Sequence, residues 1–512
     1  MIILVLYLLI VLSFVVFQKK DFQNPIFRSG KNVVWWVSGI SLYMHYLSVD
    51  TGQLIAGVIG TRGMSGMWIL WASWIGAFVI PLVFAPLWKR LDFMTDNQFL
   101  LFRFPGKSGR IIHQFRAIYV GGFVVSLALC FHVIGFSRIL SIYFDVSQGY
   151  SLLITGIILS VYALKNVLSL KLKMDVFHAF LFFLSLLIVL ISLWQQHPNL
   201  ENCATFFKGH HEKRQLFPTT TETWFTLFVY LGIQWWSCNL FDGGGPEMAR
   251  FTAVKNEKKA LLAGLLPQFI GIIAGFLMVA HVIWVLGLNT ENHSPELFYV
   301  ESVFGAVSSS LKPLILLGFF GMFITTAESL LNWGASFLVV DVIKGRYLPK
   351  IEENKERKIS YLVMLILSVL SVVFASQVES LQTFIQLTFS ISAGVAPVYI
   401  LRWVWFRINA WSQLSAMLGS GIFTLIYPSL HPHLLLHAYP LAESRVLVVT
   451  VLTTLLWLTV TFLTPNQSAE VRLKMLPILG SRKVFLNRFL LAILFGVGAL
   501  GFISVVWFSV LG

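Results

Sequence analysis

The sequence predicts an all-α protein that crosses a membrane about fourteen times. Of its 512 residues 57% are hydrophobic and only 12% charged, where an ordinary soluble domain carries about 25% charged residues. Mean hydropathy is +0.79. The 45 Phe and 17 Trp suit lipid contact and aromatic belts at the interfaces. The three cysteines, Cys130, Cys203 and Cys238, are scattered without metal spacing and imply no disulfide framework.

The elements follow from apolar runs long enough to cross a bilayer. Met1 to Phe17 is apolar and is followed by Lys19 and Lys20. A cleaved leader carries its charge before the apolar core, so this stretch is expected to be a retained first span with its N-terminus outside. Further spans are expected near 33–62, 67–88, 114–143, 149–170, 175–195, 223–242, 260–288, 312–343, 359–376, 379–408, 411–428, 446–464 and 486–510. The positive-inside rule supports the count. Inner segments drawn at about 18–32, 89–116, 165–174, 243–259, 344–358, 402–410 and 464–488 hold 30 of the 37 Lys and Arg. The formal net charge of +14 is therefore an orientation signal, and long basic runs suited to nucleic acid are absent. Leu91 to Phe104 and Pro246 to Lys259 mix charged and apolar residues at helical spacing, as interfacial helices do. The loop from His197 to Glu222 is expected over the outer mouth.

Three spans carry polar groups that hydrocarbon alone disfavours. Gly321 to Asp341 holds Thr325, Thr326, Glu328, Ser329 and Asn332. Polar groups at that depth mark an ion or solute path, and paired hydroxyls are ligands for a hard cation. The competing reading is that they bond back to their own helix carbonyls. The second span places Ser48, Asp50, Thr51, Gly52 and Gln53 at mid-depth, with Gly57 and Gly60 beyond. This predicts either a broken helix whose freed carbonyls hold a cation, or an unbroken one packed closely through small residues. The seventh span reads Gln234-Trp-Trp-Ser-Cys-Asn239 and then Asp242-Gly-Gly-Gly-Pro-Glu247. Its glycines and proline end a helix. Trp235 and Trp236 either stack on a small solute together with Gln234 and Asn239, or simply pack. His431, His433 and His437 lie in an outer loop and read as solvated. His45, His132, His178 and His281 stand singly in spans and read as packed. No nucleophile–base motif or phosphate-cradling loop stands out, so an enzyme is not expected.

These motifs, in this order, resemble the sodium:solute symporters, the family of the sodium–proline, sodium–galactose and pantothenate carriers. Ser48-Val-Asp-Thr51 with Gly57 is similar to the family's first core helix. Phe84-Ala-Pro-Leu-Trp88, Met94 to Phe99 and Arg103-Phe104 resemble its stretch before an Arg-aromatic pair. Gly243 to Arg250 is similar to its segment leading to Gln-Arg, with Ala249 before the arginine here. Ile324-Thr-Thr, Asn332 and Asp341 match its Ser-Ser, Asn and Asp helix, and Pro397 to Ser412 resembles a less studied bacterial branch.

The resemblance implies a leucine-transporter-like fold of two inverted five-helix repeats, 33–195 and 223–408. Around them lie a first helix with its inner loop (1–32) and three C-terminal helices (409–512). It implies a sodium ion held by carbonyls of Met44, Leu47 and Met322 and hydroxyls of Thr325 and Thr326, with Asp50 as a further candidate. Solute contacts are expected from Thr51, Ser73, Gln234, Trp235, Trp236, Asn239 and Gln386. Where the galactose carriers place a glutamate, Leu70 stands with Ser73 nearby, and Tyr46 falls near their asparagine. A hexose held in that way is not expected. The implied function is sodium-coupled symport of a small organic solute across a bacterial inner membrane, with both termini outside and no nucleic-acid partner. Proton coupling through Asp50 or Glu328 is the alternative, followed by a transporter-like sensor.

Overall fold

The computed structural model describes residues 27, 32–163, 168–196, 207, 211–237, 242–288, 294–378, 381–467 and 469–511. The expected first span and Asn239 lie outside them. Among the described residues the regular structure is helical, apart from one isolated bridge in which Val33 N–H donates to Ala253 O at 3.1 Å. The longer helices are α1 (Trp35–Tyr46), α2 (Thr51–Arg62), α3 (Met64–Leu91), α4 (Gly106–Phe144), α5 (Gln148–Ala163) and α6 (Leu168–Gln196). They continue with α7 (Thr221–Gly232), α8 (Pro246–Ala253), α9 (Glu257–Leu286), α10 (Pro295–Gly305), α11 (Lys312–Ser336) and α12 (Glu353–Ala375). The last are α13 (Leu381–Leu401), α14 (Ala410–Leu430), α15 (Leu441–Leu463) and α16 (Arg482–Leu511). A wider π turn carries α11 on from Phe337 to Tyr347.

Nine of the described helices are long and apolar enough to span a membrane, so the count of fourteen is not established by them. The second expected span is broken into halves, and α5 is described over Gln148–Ala163. Between α1 and α2 the chain leaves helical geometry at Leu47, at φ −82° and ψ 102°. The Ser48 hydroxyl donates to the Asp50 carboxylate, the kind of local bond that competes with a helix. In the expected seventh span α7 ends at Gly232 and a 3-10 turn follows over Gln234–Trp236. After Gly243 and Gly245, whose φ values of 67° and 63° suit glycine, Pro246 starts α8.

The glycines beyond the first break serve close packing. A Cβ at Gly52, Gly57 or Gly60 would come within 2.5, 2.9 or 2.4 Å of Tyr299, Glu296 or Pro295. Those three residues belong to α10, a helix the sequence reading did not anticipate, which lies along α2. The second span is thus broken, and the unbroken reading fails, although its close packing through small residues is found beyond the break.

Two expected interfacial helices are instead buried. α8 buries Glu247, Met248, Arg250 and Phe251, and the short helix Gln98–Arg103 buries Phe99, Leu100 and Arg103. Their charges lie inside because partners wait there. Arg250 Nε donates to Ser41 Oγ at 2.9 Å, Nη1 to Pro246 O at 2.9 Å and Nη2 to Ser329 Oγ at 2.9 Å. Asp175 Oδ2 lies 3.6 Å from the same guanidinium and 2.8 Å from Lys171 Nζ. Arg116 pairs with Asp96 at 2.5 Å, and Arg402 with Asp242 at 2.6 Å. Breaking any such buried pair leaves an uncompensated charge, at a cost of about 3–5 kcal/mol.

Candidate functional site

α11 runs past the break between α1 and α2, and there three of the expected cation ligands, Thr326, Met44 and Leu47, come together. Thr326 Oγ1 stands 3.2 Å from Met44 O and 3.5 Å from both His45 O and Leu47 O. All four residues come from the two elements the sequence singled out. One hydroxyl proton cannot satisfy three carbonyls, so the cluster is electron-rich and made of hard oxygen donors. Such a set fits a small alkali cation. Met44, Leu47, Thr325 and Thr326 are all buried. Met322 is buried one turn before Thr326, with its side chain beside Gly52 and Tyr299 in a small apolar gap.

Thr325, the neighbouring residue, meets α6. Its Oγ1 lies 3.2 Å from His178 Nδ1. The two helices approach closely because glycine faces the contact. A Cβ on Gly321, one turn before Thr325, would sit 2.9 Å from His178 Cβ, and one on Gly318 would sit 2.4 Å from Ser185 Oγ. Asp50 is 4% exposed, bonded by Ser48 and packed on Gly135 of α4. Glu328 lies beside Lys171 and Asp175, outside the lining of the large cavity described next.

That cavity, of about 530 Å³, opens from the helix break. Leu47, Ser48, Asp50 and Thr51 line it at the break, and Thr326 and Leu330 on α11. Ser73 and Trp74 of α3, Gln268 of α9 and Trp507 of α16 complete much of the wall. Of the expected solute contacts, Thr51 and Ser73 belong to this lining. Gln234, Trp235, Trp236 and Gln386 do not, and the reasons are local. Gln234 Nε2 donates to Ile69 O at 2.8 Å, and Trp236 Nε1 to Ala393 O at 3.1 Å. The Trp235 ring covers the bare face of Gly76. Gln386 is buried on α13, whose Ile385 and Phe389 face the cavity instead.

Several lining residues escaped the sequence reading. His45 and His132, expected to be merely packed, face the cavity, as do Glu247 and Trp507. The Pro267-Gln268 pair inside the apolar run of α9 was the available signal for that wall. Glu247 follows three glycines and a proline, a pattern that marks a helix end and start and carries no signal for a cavity wall. Trp507 sits in an apolar run that offers no signal.

A broken helix facing a hydroxyl-bearing partner beside a large cavity, among described helices long and apolar enough to span a membrane, is an arrangement suited to a membrane transporter. The family model for the sodium:solute symporter family matches residues 26–420, and the chain belongs to that family. It is similar to sodium/glucose cotransporter 2 of Rattus norvegicus, at 31% identity over 88 residues. That match spans 17% of this chain and 13% of the relative's length. The fold is shared with a substrate-bound, outward-open Na+-coupled sialic acid symporter, with a TM-score of 0.68 at 13% identity over 89% of this chain and 96% of that one. A nucleobase-cation-symport-1 family transporter, closed with bromovinylhydantoin bound, matches less well, with a TM-score of 0.52 at 13% identity over 88% and 99%.

Proposed function

We propose that this chain is a secondary transporter, not an enzyme, which carries a small organic solute together with sodium by alternating access. The observation that carries the reading is Thr326 Oγ1 within 3.2 to 3.5 Å of three carbonyls at the helix break. Met44, Leu47 and Met322 would supply carbonyls and Thr325 and Thr326 hydroxyls to the ion, whose positive charge satisfies that oxygen cluster. The residues 33–195 and 223–408 are read as the inverted repeats, with 1–32 and 409–512 as flanking helices. A bacterial inner membrane is the proposed location, with both termini outside.

The chain's own part in coupling is geometric. The break gives α1 and α2 separate orientations, and α11 packs on α6 and α4. The ligands therefore sit on two groups of helices that must move relative to each other. A state that brings Met44 O and Leu47 O to Thr326 is favoured by ligand only through the difference in affinity between states.

The test is a sodium titration of the purified chain, followed by sodium-dependent melting and by uptake into liposomes. Thr326→Ala deletes one oxygen from a buried set, worth about 1–3 kcal/mol, so half-saturating sodium should rise about 5- to 150-fold. Thr326→Ser keeps the oxygen and should stay close to wild type. Uptake driven by a pH gradient without sodium, and indifferent to Thr325→Ala and Thr326→Ala, would overturn the sodium reading in favour of Asp50 or Glu328 as proton carriers.

A further inference from the structure

We infer that the transported solute carries a positive charge, as an amine, guanidinium or quaternary ammonium group, and that Glu247 receives it. This rests on the reading of the large cavity as the solute site and names the class of its substrate.

The lining of that cavity contains two carboxylates, Asp50 and Glu247, and no Lys or Arg among the described residues. Its remaining polar members are neutral hydroxyls, Gln268 and the imidazoles of His45 and His132. An anionic solute would meet no Lys or Arg in this lining and would lie beside two acidic side chains in a poorly screened interior. A cation would instead meet the acids and a wall rich in aromatic faces, including Tyr43, Trp71, Trp74 and Trp507, which attract ammonium groups.

The two carboxylates are not equivalent. Asp50 accepts the Ser48 hydroxyl, and its Cβ fits the bare face of Gly135, so it belongs to the joint between α1 and α2. Glu247 is 2% exposed, and its Oε2 has no hydrogen-bond partner among the described residues. Tyr46 hydrogen-bonds the same carboxyl group, so only Oε2 is left over. Burial raises the Glu247 pKa to about 8, so a cation beside it would hold the acid ionised. The nearby guanidinium of Arg250 spends its donors on Ser41, Pro246 O and Ser329. A buried carboxylate oxygen without a donor is costly to keep, and a cationic group arriving through the cavity relieves that cost. The chain fixes the acid there deliberately. Gly243 and Gly245 turn the backbone at positive φ, and Pro246 opens α8, so that Glu247 stands in its first turn.

The experiment uses the full chain in detergent, in sodium or in potassium buffer. Melting temperature is followed against choline, putrescine and L-lysine as cationic probes, D-galactose as a neutral one and pyruvate as an anion. At least one cationic probe should stabilise the protein at millimolar concentration while galactose and pyruvate do not. Glu247→Gln keeps the volume and removes the charge. It should weaken that probe at least tenfold, while the melting shift given by sodium alone stays as in wild type. If Glu247→Gln does not fold, Glu247→Asp keeps the charge on a shorter arm and must retain the preference for cations. Silence of all three cationic probes, binding of galactose or pyruvate in their place, or unchanged affinity in Glu247→Gln overturns the inference. Failure of the sodium reading is separately visible: sodium then gives no melting shift, while the cationic probe still binds and still depends on Glu247.

Discussion

The joint between α1 and α2 offers a sharp test, because one glycine of α4 holds its position. A Cβ added at Gly135 would lie 2.8 Å from Asp50 Cβ and 3.3 Å from both Asp50 Cα and Asp50 N. Those are atoms of the joint, so nothing flexible can yield. Reaching ordinary contact requires a displacement of roughly half an ångström or more, against a tolerance of about 0.2 Å in metal–ligand distances. Overpacking of this kind costs about 1–3 kcal/mol. If the strain falls on the carbonyls of Met44 and Leu47, half-saturating sodium rises about 5- to 150-fold in Gly135→Ala. Gly122 lies on the same helix, and a Cβ there meets nothing within 4 Å, so Gly122→Ala is the control. Sodium-dependent melting of the purified variants reads the effect without knowledge of the solute. Wild-type sodium affinity in a folded Gly135→Ala, or an equal loss in Gly122→Ala, would refute the link between this packing and the ion site.

Further outcomes are expected elsewhere. His178→Leu removes the partner 3.2 Å from Thr325 Oγ1 and should weaken sodium binding several-fold, whereas His178→Asn, which keeps an acceptor near the Nδ1 position, should bind nearly as wild type. Asp242→Asn weakens the pairing of buried Arg402 at 2.6 Å and should lower thermal stability, by as much as about 3–5 kcal/mol if the charge is left uncompensated; an unchanged melting curve would count against that pairing. Single cysteines in 344–358 should be labelled only from the cytoplasm and one at Lys213 only from outside, and the reverse at either site would overturn the proposed orientation.

The long apolar helices, and the meeting of Thr326 with the broken helix, are legible because both are written in one dimension. An apolar run shows its length directly, and paired hydroxyls within it show their depth. The break was legible for the same reason, since Ser48 and Asp50 compete locally with the helix. The wall of the cavity was not. Gln386 stands in the expected helix and Gln234 and Trp236 in a 3-10 turn beyond the end of α7, and tertiary packing decides where each points, sending Gln234 to Ile69 O and Trp236 to Ala393 O. The amphipathic pattern of α8 was read as interfacial because sequence cannot show that Ser41, Asp175 and Ser329 wait inside for Arg250.

That same arginine sets the condition for moving the solute inward. Its guanidinium joins α8 to Ser41 of α1, Ser329 of α11 and Asp175 of α6, and all of these lie on the cytoplasmic side of the cavity in the proposed orientation. An inward opening that parts α1 and α8 from α6 and α11 must break these contacts, and bonds to charged groups contribute about 1.5–3 kcal/mol each. Arg250→Met should therefore shift the population toward the inward-open state, leaving Asp175 its bond to Lys171 at 2.8 Å. Ser336 of α11 is buried beside Arg250 in a gap of about 30 Å³, so a cysteine there reports the opening. Labelling of Ser336→Cys should quicken at least tenfold in the Arg250→Met background. Apparent sodium affinity should fall in proportion to the lost outward-facing fraction. Arg250→Lys keeps a charge without the planar fork and should fall between the two. Labelling as slow as in the parent, in a variant that melts normally, would show that Arg250 holds the fold but not the gate.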